Sequence, residues 1–374
     1  LKRRHLLQLG ATASAGLAFP AIAQQRKIVL GQSAPFSGPA SALGTQLKEG
    51  AELVFNQVNA RGGVNGRTIE LRSVDDGYEP QRCAENTRKL LADEVFSLFG
   101  YVGTPTSLAA LPLAAAARTP FFAPFSGAEA LRVPFNRYAF HVRASYFDET
   151  AEIVKQLTAV GIKRIAVFYQ NDSYGQTGLD GVNHALKSHG LKAVSLGTVE
   201  RNTVAVETAV KEILAGTPEA IVQVSAYKSC AAFVRAARKA GFTGGFYNLS
   251  FVGTQALANE LGADARGVVI SQVMPLPFSA TSPLAGEYLA AGKSLGAKFE
   301  PNYGGIEGYV AARVFVEGLK RAGANPTPDS MVGALESLNN LNLGGHFIDF
   351  GPNKHTGSRY VDLTVLTADG RVRR

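Results

Sequence analysis

Cysteine occurs only twice in 374 residues, at Cys83 and Cys230. Two isolated cysteines cannot form a zinc site, and each lies in a helical pattern beside apolar neighbours, which predicts buried free thiols. Long apolar runs are scarce as well. The stretch Leu6–Phe19 is interrupted by Gln8, Gly10, Thr12, Ser14 and Gly16, and no later segment approaches 18 uninterrupted apolar residues, so no transmembrane helix is expected. Basic clusters interleaved with aromatics are missing, which argues against nucleic-acid binding. The six histidines show no metal-ligand spacing beyond a loose His184/His189 pair, five apart and therefore on different helix faces. There is no Gly-x-Ser-x-Gly elbow, phosphate loop or dinucleotide fingerprint. Catalytic residues, metals and cofactors are accordingly not expected.

What is present is the composition of a packed globular protein, with 46% hydrophobic and 18% charged residues. The length suits two α/β domains. Lys2-Arg3-Arg4, the apolar stretch and Ala21-Ile22-Ala23 form the pattern of an export signal over residues 1–23. Arg3-Arg4 before His5-Leu6-Leu7 resembles a twin-arginine signal. A general secretory signal is the alternative. Cleavage after Ala23 would remove three of the 38 basic residues, leaving 35 against 30 acidic ones, a mild surplus of +5.

Short β-branched runs alternate with amphipathic stretches, the signature of parallel βαβ units. In the first series strands are predicted at Lys27–Gln32, Thr68–Asp75, Val95–Gly100 and Pro120–Ala123, with helices at Thr45–Ala60 and Gln81–Asp93. A second series begins near residue 146 and runs to a strand at Gly267–Val273. A long helix, Ile306–Ala322, and a returning strand, Val361–Thr367, close the chain. The fold class predicted is α/β, with two doubly wound, Rossmann-like lobes that the chain crosses more than once. Lobe one is expected over 26–145 plus 275–350, and lobe two over 146–274 plus 351–374.

Open α/β sheets bind ligands beyond the carboxyl ends of their strands. Two loops there carry anion chemistry. After the third strand, Gly103-Thr104-Pro105 places a predicted helix cap at Thr104 and leaves free N–H groups behind it. After the fourth, Ser126-Gly127 offers a second hydroxyl, with Ser126 predicted to cap a short helix. Together they would hold a carboxylate without a formal counter-charge. Each taken singly also fits a purely structural cap.

Five stretches in order, from Ala34-Pro35-Phe36-Ser37-Gly38-Pro39 through Val58-Asn59-Ala60-Arg61-Gly62-Gly63-Val64-Asn65-Gly66, Asp75-Asp76, Asn171-Asp172-Ser173-Tyr174-Gly175 and Ala236-Ala237-Arg238-Lys239-Ala240-Gly241, resemble the type I periplasmic solute-binding proteins of ABC transporters, in the leucine/isoleucine/valine-binding branch. The resemblance covers nearly all of Lys27 to Leu366. It implies two lobes joined by three crossovers, a ligand in the cleft, and a membrane permease as partner of a monomeric, periplasmic protein. Carried onto this sequence, it puts the ligand carboxylate on Thr104, with Ser126 and Gly127 completing that site, and brings Tyr174 and Tyr227 over the ligand. The family's ammonium-binding acid should fall after Gly245–Leu249, where Ser250-Phe251 stands instead. Glu307 is the candidate substitute. The expectation is thus capture of a small carboxylate, either an amino acid or an amine-free aliphatic or aromatic acid lined by Phe36, Tyr174 and Phe251. A ligand sensor with the same fold is the alternative.

Overall fold

The computed structural model describes residues 27–374, and the expected export signal at residues 1–23 lies outside them. The first series builds β1 (Ile28–Ala34), α1 (Ser41–Ala60), β2 (Ile69–Asp75), α2 (Pro80–Ala92), β3 (Ser97–Phe99), α3 (Thr104–Ala116), β4 (Phe121–Phe122) and β5 (Ala139–Phe140). These strands form one parallel sheet in the order β2-β1-β3-β4-β5. The two-residue strand β5 is too short to show a period in sequence.

The second series repeats the design. It comprises α4 (Tyr146–Ala159), β6 (Ile165–Gln170), α5 (Ser173–Ser188), β7 (Leu196–Val199), α6 (Glu207–Ala215), β8 (Ala220–Val224), α7 (Tyr227–Lys239), β9 (Gly245–Asn248), α8 (Thr254–Leu261) and β10 (Val269–Gln272). The parallel part of this sheet runs β7-β6-β8-β9-β10. Strands β6 and β8 are buried on both faces, which is why they read as near-continuous apolar runs, broken only at Gln170 and Gln223.

The chain then returns to the first lobe with α9 (Pro283–Gly292), α10 (Tyr303–Ala322), α11 (Pro328–Glu336) and a small hairpin, β11 (Leu341–Asn342) and β12 (Phe347–Ile348). Helix α10 lies directly on α1. A Cβ at Gly50 would meet the Gly305 carbonyl at 1.8 Å and one at Gly308 the Leu47 carbonyl at 2.0 Å, so the two backbones approach this closely only because Gly50 and Gly308 carry no side chain. Finally β13 (Asp362–Leu366) extends the second sheet antiparallel to β10, and β14 (Val372–Arg373) pairs antiparallel with β13 at its edge.

Three crossovers therefore join two doubly wound lobes, after β5, after β10 and between β12 and β13. The first and third are stitched together: His141 N–H donates to the His355 carbonyl at 2.8 Å, and Gly357 N–H to the His141 carbonyl at 2.7 Å. In both sheets the strand order reverses beside the first strand of the series. The crevice this creates at the carboxyl ends is where such folds bind ligands. The loops leaving β1, β3, β6 and β8 open there, and they carry Phe36, Thr104, Tyr174 and Tyr227.

Candidate ligand-binding cleft

Strand β3 delivers the chain to Gly103, whose φ is +100°. A Cβ there would lie 2.2 Å from Cε2 of Tyr78, so glycine is what lets that ring cross the loop. The predicted cap at Thr104 is corrected. Gly103 is the cap residue, no side chain closes the helix end, and Thr104 is the first residue of α3. A cap side chain acts from a non-helical backbone, and Thr104 is already helical. Its hydroxyl lies instead 2.8 Å from the Ser126 hydroxyl, both fully buried. The cap predicted at Ser126 is likewise corrected: the 3-10 turn Glu129–Leu131 starts from Ala128 with no side-chain cap. Ser126 Oγ accepts the Ala128 N–H at 3.2 Å, a local turn. Neighbouring Gly127 makes room for Tyr146, since a Cβ there would sit 2.6 Å from that ring.

The second lobe answers with aromatic rings. Asp172 caps α5, accepting from the Tyr174 and Gly175 N–H groups at 2.9 and 3.4 Å, and so fixes Tyr174 in the first turn. Phe251 follows β9 in a 3-10 turn. Five side chains then close a circuit. The Arg143 guanidinium lies 4.8 Å from the Phe125 ring, Phe125 5.6 Å from Phe251, and Phe251 4.6 Å from Tyr174. Tyr174 is 5.3 Å from Tyr146, whose ring is 5.9 Å from Arg143. All five are buried.

Arg143 stands between two carboxylates on the first crossover. Its Nη2 is 3.3 Å from Glu149 and its Nη1 3.5 Å from Glu307. Nη2 also donates to the Ser250 hydroxyl. Burial opposes its charge, but Glu307 and Glu149 outweigh that and raise its pKa. Ser250 is fully engaged, its N–H and hydroxyl both donating to Glu149, at 2.8 and 3.0 Å. Ser271 adds a third donor to the same carboxylate at 2.6 Å. Glu307, in the first turns of α10, is buried, and that burial lifts its carboxyl to about 7 against the pull of Arg143.

Phe36 and Tyr227, also named from sequence, make none of the contacts described so far. Phe36 is half-buried beneath the Lys48 ammonium, 5.5 Å from its ring centre, and its loop is tied by Asp75, which accepts from the Phe36 and Ser37 N–H groups. Tyr227 begins α7 and is buried in the core of the second lobe. Sequence reasoning passed over Arg143, Tyr146, Glu149 and Tyr78. A signal did exist for two of them: Ser145 and Asp148 form a capping box that announces a helix, and Tyr146 and Glu149 lie in its first turn.

Across the cleft mouth the lobes touch directly. Arg201 reaches Glu79 at 2.8 Å while holding Asp172 at 3.1 Å. Asn202 Nδ2 donates to Glu79 at 2.8 Å and to the Gly77 carbonyl at 3.1 Å. Gln170 donates to the Tyr78 hydroxyl at 3.3 Å. Both cysteines are buried free thiols. No group of three or more His, Cys, Asp or Glu side chains among the described residues is placed to hold a metal ion, and no helix among them is long and apolar enough to cross a membrane.

The sequence profile of a family described as periplasmic binding protein matches residues 27–371. A solved structure of a possible leucine/isoleucine/valine-binding protein from Rhodopirellula baltica is 35% identical, with a TM-score of 0.90 over 94% of this chain and 96% of that one. A substrate-binding periplasmic protein from Ralstonia solanacearum is 32% identical, with a TM-score of 0.87 over 92% and 99% of the two chains. The Leu/Ile/Val-binding protein homolog 7 of Brucella suis is 26% identical over 342 residues, covering 85% of this chain and 82% of the relative.

Proposed function

The chain belongs to the periplasmic binding protein family, in its leucine/isoleucine/valine-binding branch, and on that premise we propose that it is the periplasmic solute-capturing component of an ABC importer whose ligand is a small carboxylate without an α-amine. The family is one of solute-binding proteins and not of enzymes. Relatives named for leucine, isoleucine and valine support an acid of similar size, and the chemistry of the cleft narrows it.

The observation that carries the reading is the Thr104–Ser126 hydroxyl pair, 2.8 Å apart and buried at the ends of adjacent strands. The first turn of α3 supplies backbone N–H groups and the positive end of a helix dipole beside it. Such a nest stabilises a carboxylate. An ammonium fares worse. The position where the branch places its acid is Ser250, and its donors are spent on Glu149. Both nearby carboxylates, Glu149 and Glu307, face Arg143, and bringing an ammonium beside that guanidinium costs about the several kcal/mol of an unpaired buried charge.

Closure follows from the same geometry. The carboxylate docks on the first lobe, and the second lobe then brings Tyr174 and Phe251 over it, as the contacts from Arg201 and Asn202 to Glu79 form. A permease would recognise the closed form, a population shift driven by contacts available only when the cleft is shut. Titration calorimetry with matched amino and deamino acids tests the proposal. The deamino acids are expected to bind more tightly; tight binding confined to the amino acids would overturn it.

A further inference from the structure

The circuit around Phe125 and Phe251 contains polar atoms that the protein leaves unanswered. Arg143 Nε and the Tyr174 hydroxyl are buried without a hydrogen-bond partner; the Tyr146 hydroxyl has Ser126 beside it, and Arg143 Nη1 only the Glu307 carboxylate at 3.5 Å. A buried donor normally finds a partner, and leaving one unmade is costly. Here several share a single ring of contacting side chains, in a fold whose ligand lies in this crevice. Every one of these atoms is able to donate.

Their number exceeds what one carboxylate needs. A carboxylate accepts about four hydrogen bonds, and the Thr104 and Ser126 hydroxyls with the α3 N–H groups already approach that. The remaining donors call for another oxygen. The charge of that oxygen is limited by Glu307, whose carboxylate lies 3.5 Å from Arg143 Nη1. A second anion placed on Nη1 would crowd that carboxylate, whereas a neutral oxygen would not.

Resting on the carboxylate reading above, we propose that Arg143, Tyr146 and Tyr174 receive a second, uncharged oxygen of the ligand, so that its class is an oxo or hydroxy acid. The carboxylate sits on the Thr104–Ser126 pair and the neutral oxygen on the tyrosine hydroxyls and the guanidinium. A hydrocarbon acid fills the aromatic ring of contacts but leaves these donors bare. A dicarboxylate meets Glu307.

The experiment measures binding to the full exported chain by calorimetry. The probes are the plain, oxo, hydroxy and amino acids of the leucine carbon skeleton, with benzoate set against para-hydroxybenzoate. The oxygen-bearing member of at least one series should bind at least ~10-fold more tightly than its plain partner, the margin expected of one satisfied buried hydrogen bond. Tyr174→Phe should abolish that margin. It should also leave the melting temperature of the ligand-free protein unchanged or higher, because the hydroxyl it removes has no partner. Thr104→Ala should weaken plain and oxygen-bearing acids alike. If Thr104→Ala weakens neither, the carboxylate reading fails on its own account. The present proposal is overturned if plain acids match their oxygen-bearing partners throughout, or if the margin survives in both Tyr174→Phe and Arg143→Lys. A ligand-free Tyr174→Phe protein that melts several degrees lower would overturn it too, by showing a structural hydrogen bond.

Discussion

The Ser250 N–H donates to Glu149 at 2.8 Å across 101 residues of sequence, tying the loop after β9 to the first turn of α4. That carboxylate also compensates Arg143, whose side chain has no solvent contact. Removing one partner of a buried charge pair leaves the other stranded. Glu149→Ala should therefore lower the unfolding free energy by about 3–5 kcal/mol, read from the midpoint of urea denaturation. Glu149→Gln keeps the shape and one acceptor oxygen and should lose less. A loss from Glu149→Ala within the range of an ordinary surface substitution would show that Glu307 alone compensates the guanidinium.

Thr104 should behave in the opposite way, mattering for ligand and little for folding. Its hydroxyl has Ser126 for company, and either can donate. Thr104→Ala is expected to weaken binding of the acid by roughly 1–3 kcal/mol, while Thr104→Ser retains the hydroxyl and most of the affinity. Calorimetry gives the affinities, and a thermal melt of the ligand-free proteins separates them from stability. Unchanged affinity in Thr104→Ala would remove this residue from the site.

Glu79 holds the cleft mouth through Arg201 and Asn202. The ion pair is partly exposed, 22% on the arginine and 43% on the glutamate, so each contact contributes about 0.2–1 kcal/mol. That is enough to move a closure equilibrium several-fold without unfolding anything. Glu79→Gln should enlarge the radius of gyration seen by small-angle X-ray scattering and reduce ligand affinity a few-fold. Raised salt should open the wild type in the same direction, and the variant less. Equal salt responses in the two proteins would mean that Glu79 does not hold the mouth.

The alternation of buried strands and amphipathic helices made the two doubly wound series legible, because β6 and β8 are apolar except at Gln170 and Gln223 and α7 is sharply two-faced. The strand-end logic also led to Thr104 and Ser126, and the family resemblance to Tyr174. It misjudged what the hydroxyls do: spacing alone reads Thr104-Pro105 as a cap, whereas the φ of Gly103 moves the helix start one residue back. Arg143 was illegible for a different reason. In His141-Val142-Arg143-Ala144-Ser145 a lone arginine looks like a solvated loop residue. Only the meeting of the adjacent α4 with α10 and the loop after β9, both more than 100 residues further along the chain, buries it between Glu149 and Glu307. Strands β5, β11, β12 and β14 have two residues each and carry no period to read.

Glu307 should leave a pH signature on stability. Its carboxyl rises from 4.5 to about 7, chiefly by burial, with Arg143 pulling it back and Glu149 adding repulsion. A carboxyl whose folded pKa lies above its unfolded one binds its proton more tightly in the native state. It therefore stabilises the fold fully below about pH 4.5, and that contribution is lost as pH rises through about 7. Glu307→Gln holds the side chain neutral at every pH. The unfolding free energy of wild type minus that of Glu307→Gln should accordingly fall with rising pH, by on the order of 3 kcal/mol across this window. Urea denaturation of both proteins at a series of pH values measures the curve. Two profiles running parallel from acid to neutral pH would show that Arg143 offsets the burial and Glu307 titrates as in the unfolded chain, and the neutral-oxygen preference argued from that carboxylate would then rest on a full negative charge at neutral pH.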